Sequence, residues 1–204
     1  IKTLTASSSA TLSFLNGADS VVFDDTYPIY KFVYTSIHPQ TDNVQFFFNM
    51  STDGGSNYNV TKTTTTFVTF HYVDTGTNTS YNQTITSTTF RAYHNEADGN
   101  TSLGYASGDD QAQGSSMQPI ALISNSNDDS ASGELTIYNP SSSTFVKHFI
   151  ATSNGVKALS GPFSYNMFTA GYINTTTALT RVQFKTASGN IDSGKIKLYG
   201  IKDS

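Results

Sequence analysis

Apolar and polar positions alternate through most of this chain, and helical spacing is hard to find in it. In the last segment Ile196 and Leu198 fall on one face and Lys195, Lys197 and Tyr199 on the other. A two-residue period of this kind marks a half-buried strand. The same reading predicts strands near 20–24, 28–37, 43–51, 59–73, 87–95, 118–124, 133–139, 144–152, 164–173, 178–187 and 194–201. Turn chemistry separates them, as in Asp53-Gly54-Gly55-Ser56-Asn57, Asn139-Pro140 and Ser188-Gly189-Asn190. Tyr105 to Met117 lacks the alternation and reads as a loop with one helical turn. A weak strand at Thr11–Leu15 lies inside a small-residue, polar stretch. Residues 1–19 are therefore expected to form an arm or an edge strand, and 20–204 a single domain, an all-β, jelly-roll-like antiparallel β-sandwich.

Several strands carry apolar side chains on both faces. Phe46 and Phe48 share one side of their strand while Phe47 takes the other, Phe70 and Tyr72 line up with Val68, and Ile29 and Val33 oppose Tyr30, Phe32 and Tyr34. A lone sandwich wets the outer face of most of its strands. Either loops cover these outer rows or neighbouring subunits do, so Phe46, Phe47, Phe48, Phe70 and Tyr72 are candidate subunit contacts. In the terminal hairpin Thr180, Val182 and Phe184 are expected inward. Arg181 and Lys185 are then expected outward beside Lys195 and Lys197, forming one basic face. Like charges across strands are unfavourable unless acids lie close. Asp24-Asp25, Asp109-Asp110 and Asp128-Asp129 are possible sources within the chain, and an acidic surface on another subunit is the alternative.

Composition narrows the class. Only 13% of residues are charged, but 14 Phe and 12 Tyr supply a core, so the chain is not disordered. A net charge of −4 argues against nucleic acid as the main partner. Cysteine is absent, which excludes disulfides, thiolate zinc sites and cysteine nucleophiles. No apolar run reaches bilayer length and no secretory signal opens the sequence, so membrane insertion is not expected.

Motifs for chemistry are weak. Gly189, four residues, then Gly194-Lys195 comes close to a phosphate-cradling loop, but Ile196 stands where a magnesium-holding Ser or Thr is needed, and no helix has room to follow. His94, Glu96 and Asp98 alternate on one side of an extended segment, as a metal or acid–base site needs, but they enter a glycine-containing loop. Asn125-Ser-Asn-Asp-Asp129 offers alternate oxygens, without the glycine and the glutamate of a calcium loop, where Thr136 stands instead. Gly104-Tyr-Ala-Ser-Gly108 has the wrong spacing for a nucleophile elbow. His38, His71 and His148 are isolated, and Glu96 and Glu134 are the only glutamates, so no glycosidase pair can be picked out. No enzyme, cofactor or metal is expected. The Asn-x-Ser/Thr sequons at Asn49, Asn59, Asn78, Asn82, Asn100 and Asn174 are what a Ser/Thr-rich chain produces by chance. Tyr58, Tyr81 and Tyr105, in or beside loops rich in Asn, Asp and Thr, are candidate contacts for a host surface glycan.

One resemblance rests on a series of segments taken together: Asn49–Val60, Phe90–Glu96, Tyr138–His148, Ala170–Thr176 and Ser188–Ile201. In combination and order they resemble virion structural proteins of tailed phages that infect marine bacteria, cyanophages included. The resemblance covers roughly residues 27–202 and leaves the first 20 residues unmatched. It implies particle structure without catalysis. The expectation is a non-enzymatic protein on the virion exterior, decorating or projecting from the head shell or tail among other virion proteins, as a homotrimer. The arm at 1–19 is the expected contact with the particle or a neighbour. The competing expectation is a receptor-binding fibre or spike module.

Overall fold

The computed structural model describes residues 1–72, 92–93, 110–158 and 162–203. Among them are twelve strands and no helix. They are β1 (Lys2–Thr5), β2 (Leu12–Leu15), β3 (Ile29–Pro39), β4 (Val44–Ser51), β5 (Lys62–Tyr72), β6 (Ala92–Tyr93), β7 (Gln118–Ile123), β8 (Ala131–Tyr138), β9 (Lys147–Ala158), β10 (Pro162–Ile173), β11 (Arg181–Thr186) and β12 (Ile191–Ile201). An eight-stranded sheet runs β1-β12-β3-β8-β9-β10-β5-β6, and a four-stranded sheet runs β2-β11-β4-β7. Every pairing is antiparallel.

The order of pairs is that of a jelly roll. β1 pairs with β12, β2 with β11, β3 with β8 and β4 with β7, so the chain folds back on itself as one long nested hairpin. That hairpin is rolled until β12 also meets β3 and β11 meets β4. The links β1 to β2, β3 to β4, β7 to β8 and β11 to β12 each cross from one sheet to the other, as two interleaved Greek keys require. Two insertions, β5–β6 between β4 and β7 and β9–β10 between β8 and β11, join the same side of the large sheet and widen it by four strands. The expected all-β sandwich is therefore present, in its jelly-roll form.

Aromatic rings hold the two sheets together. Phe14 on β2 meets Phe32 on β3 edge-on at 5.2 Å, and Phe32 meets Phe184 on β11 at 5.6 Å. Tyr34 on β3 packs on Phe46 of β4 at 5.5 Å, and Phe48 of β4 on Phe149 of β9 at 5.1 Å. All seven side chains are buried. Alternation explains them, because each is the inward residue of its strand.

Some strand expectations need correcting. The predicted strand at 20–24 is irregular backbone: Val21 and Phe23 still bury their side chains, but no ladder forms there. Residues 2–5 do form a strand, paired with β12, and 12–15 form another, paired with β11. The first 19 residues thus supply one edge strand to each sheet. The described part of the loop, 110–117, has no helical turn; it lies along β5, with Gly114 bridged to Lys62. The segment 189–195 holds two different devices. Gly189, at φ +66, makes the turn into β12, whereas Gly194, at φ +123, lies where the register shifts against β3. A Cβ at Gly194 would stand 2.8 Å from the Ser36 carbonyl oxygen, so close approach as well as φ selects glycine there.

Candidate functional site

The terminal strands do not form the hairpin that the sequence suggests. β11 lies in the small sheet and β12 in the large one, so Arg181 and Lys185 face outward on the opposite side of the sandwich from Lys195 and Lys197. The single basic face is overturned. Alternation tells which way a residue points but not which strand lies beside it.

The expected aromatic contacts also divide. Phe46 and Phe48 are completely buried in the chain's own core, which removes them as subunit contacts. Phe47 does point outward, half-buried, opposite Lys185 and Pro119. The side chains of Phe70 and Tyr72 lie outside the described residues, as do Tyr81, Tyr105, His94, Glu96 and Asp98. Tyr58 is half-buried with its hydroxyl turned away from solvent and unpaired, so only its ring is offered to a ligand. Arg181 lies across the neighbouring turn: a Cβ on Gly55 would stand 2.7 Å from its Cζ. Asp53 in that turn accepts bonds from Ser51 Oγ (2.6 Å), Asn57 N (3.0 Å) and Asn57 Nδ2 (2.8 Å), and these hold its carboxyl far below the usual range.

Among the described residues, neither Asp24-Asp25 nor Asp128-Asp129 forms an ion pair with the outward lysines, and Asp109 lies outside the described residues. Asp24 and Asp25 take bonds from Thr26 N and Ser141 Oγ, and Asp129 is buried with Ser124 Oγ on its carboxylate at 2.5 Å. His38 Nδ1 donates to the Asp129 carbonyl at 2.7 Å. Asn125 Nδ2 donates to Gln40 O. The Asn125–Asp129 segment is therefore an internally bonded turn into β8. Among the described residues no group of three His, Cys, Asp or Glu is placed to hold a metal ion, and no helix is long and apolar enough to cross a membrane.

What the fold does build is a broad outer face on the large sheet. Its register runs Tyr199–Lys31–Thr136–Ile150 in one row and Ile201–Ile29–Tyr138 in the row below. The row above carries Thr3–Lys197–Val33–Glu134–Thr152. Lys31 Nζ reaches Glu134 at 3.0 Å and neutralises the middle of the face, while Lys195 and Lys197 stay exposed. Among the described residues the exposed large hydrophobics are Ile1, Val22, Phe145, Ile150, Tyr199 and Ile201. Four of them stand on or beside these rows. Val22 and Phe145 lie in the loops 16–28 and 139–146, at the same end of the sheet, where β3 begins and β12 ends. The alternation of β12 foretells Tyr199, but no sequence signal marks Ile150 or the gathering of the six.

Behind the widened part of the sheet lies a polar layer. Lys62 is fully buried, its Nζ donating to Val60 O (3.2 Å) and Ser116 O (2.6 Å). Thr64 Oγ1 donates to Gln118 Oε1 (2.9 Å), and Asn49 Nδ2 to Tyr58 O (2.6 Å). These bonds tie the inserted strand β5 and the 110–118 segment to the small sheet. Burial lowers Lys62 to about 8 and also lowers Lys147, while burial raises Tyr30, Tyr34 and Tyr165 above their ordinary 10.0.

The signs fix a pH profile. Between about 8 and 10.5 the folded chain sheds the Lys62 proton that the unfolded chain still holds, so stability rises with pH there. From 10.0 upward the unfolded tyrosines ionise while the folded ones stay neutral, so stability falls. Urea midpoints from pH 7 to 11 should pass through a maximum near 10, and Lys62→Met should flatten the rising limb. A midpoint that falls steadily from pH 8 would refute this.

Compared with protein-family models, curated proteins and solved structures, the chain matches none.

Proposed function

We propose that this chain is a non-enzymatic structural protein of a bacteriophage particle, a rigid unit on the virion exterior that decorates or projects from the head shell or tail. The observation that carries this reading is the outer face of the large sheet, where the exposed apolar side chains gather at one end of a jelly roll. An exposed apolar patch rimmed by charge marks a surface made for another protein. Jelly rolls serve capsids and lectins alike, so the fold supports the reading without choosing it. The resemblance of five segments to marine phage virion proteins supports the capsid side of that choice.

Mass spectrometry and immunogold labelling of purified particles test it. The expected result is the chain in every particle, at high copy number on the shell if it decorates the head. Its absence from purified particles would overturn the proposal. A few copies at the tail tip would turn the reading toward receptor binding. In that case the ring of Tyr58 and the turn under Arg181 are the described residues to vary against a glycan array.

A further inference from the structure

We propose that the side of the sandwich formed by β1 and β2 pairs, edge to edge, with the same side of a second copy of this chain. β2 ends the small sheet, β1 ends the large one, and the two strands follow each other in the chain. Asn16 N donates to Thr180 O, and the register carries that phase along β2, so Phe14 and Leu12 bond to β11. The backbone groups of Thr11, Ser13 and Leu15 therefore point away from the sheet. Among the described residues only the Leu15 carbonyl finds a partner there, Ala18 N at 3.1 Å. On β1 the bond from Ala6 N to Gly194 O fixes the phase in the same way. It leaves the N–H and C=O of Thr3 and Thr5 pointing away from β12, unpaired among the described residues.

The opposite edge of the small sheet is closed from within. On β7, Leu122 N donates to Tyr165 Oη at 2.7 Å, Ile120 O accepts from Ser153 Oγ, and Pro119 has no N–H to offer. The β1–β2 side has no such cover. Thr3, Thr5 and Thr11 are exposed, and Thr11–Leu15 holds neither a charge nor a proline, two of the devices that keep an edge single. The ion pair on this side, Lys2 with Asp19 at 3.4 Å, stands past the end of β2 and is neutral in itself.

The two bare edges choose the occupant. They belong to sheets packed about 10 Å apart, so a lone extended segment would fill one edge and leave the other open. A second copy carries the same two edges at the same spacing. With a twofold axis between the two Ser13 residues, Ser13 N of each copy donates to Ser13 O of the other, and Leu15 N to Thr11 O, while β1 runs beside β1. The small sheet then continues without a break from one copy into the next. The inference rests on the edges and not on the particle reading, so a monomeric particle protein would defeat one and leave the other.

The test is sedimentation equilibrium of the full chain, with amide hydrogen exchange beside it. A species of twice the 22.0 kDa chain mass is expected. No ion pair spans the paired edges, so added salt should not disperse it. The Ser13 amide should exchange more slowly as concentration rises, because the second copy is what bonds it. Ser13→Pro removes that donor from both copies and should weaken pairing about a hundredfold. The lost N–H faces away from β11, where an edge strand accepts proline, so folding should survive, and circular dichroism checks that it does. Thr11→Lys with Leu15→Lys sets like charges across the axis and should abolish pairing without altering a buried residue. That variant carries the test if the proline unfolds the chain. A monomer at every concentration up to about 0.1 mM, a trimer, a dimer dispersed by salt, a Ser13 amide that exchanges freely in the dimer, or a dimer indifferent to the substitutions would overturn the proposal.

Discussion

Phe184→Ala is expected to cost about 4 kcal/mol of folding free energy, near the upper end for a buried aromatic. Its ring meets Phe32 across the sandwich at 5.6 Å, stacks on Phe46 at 5.8 Å and meets Phe14 at 6.3 Å. Removing it leaves a cavity lined by three rings and breaks aromatic contacts worth about 0.5–1.5 kcal/mol each beyond burial. β11 lies between β2 and β4, so collapse around the cavity would have to move the middle of the small sheet. Phe47→Ala is the comparison: that ring points outward from the neighbouring strand and should cost about 1 kcal/mol or less. Urea denaturation of both variants checks the pair. Equal losses would mean that the inward and outward assignment of the small sheet is wrong.

A larger effect is expected from deleting residues 1–15. The deletion strips β1 from β12 and β2 from β11, leaving two inner strands as bare edges. It also takes Leu12 and Phe14 out of the core. Two side chains of that size account for roughly 5–10 kcal/mol, against a whole-domain stability of about 5–15. The truncated chain should be unfolded or aggregated when expressed, since exposed edges are templates for pairing. A soluble product that melts within a few degrees of the full chain would show that the segment is a detachable arm. This prediction follows one side of the sequence reading, an edge strand, and runs against the other, in which 1–19 reaches out to the particle.

The reason for that difference shows what alternation can convey. Along β12 and β11 it placed Ile196, Leu198, Val182 and Phe184 inward, as found, because a strand with one buried face writes its pattern locally. It could not reveal that β11 and β12 part company at Ala187–Asn190 and enter different sheets. Pairing partners are chosen by the whole rolled hairpin, and nothing in four or five residues encodes that choice. β1 was hidden because Lys-Thr-Leu-Thr holds one inward apolar residue, too little for a period. Val21 and Phe23 misled for the opposite reason: two buried side chains at strand spacing, on a backbone that bonds instead from Gly17 N to Val21 O and from Phe23 N to Asn16 Oδ1. The candidate face was half legible. Lys195, Lys197 and Tyr199 are visible as one outward row, whereas Ile150 joins them only once β12, β3, β8 and β9 are laid side by side.

The outermost pair of the roll sets a schedule for making the protein. Lys2 lies opposite Leu198, so β1 waits for β12. β3, too, has β12 as one of its two neighbours, and β4 and β2 both lean on β11. Until β11 and β12 have been made, only β3, β4, β7 and β8 and the inserted strands can find their partners. β1 and β2 must stay open until β12 and β11 have left the ribosome. Closure of the roll therefore comes last and is slow by contact order, and during that wait the nascent chain is most exposed to mispairing with its neighbours on the same message.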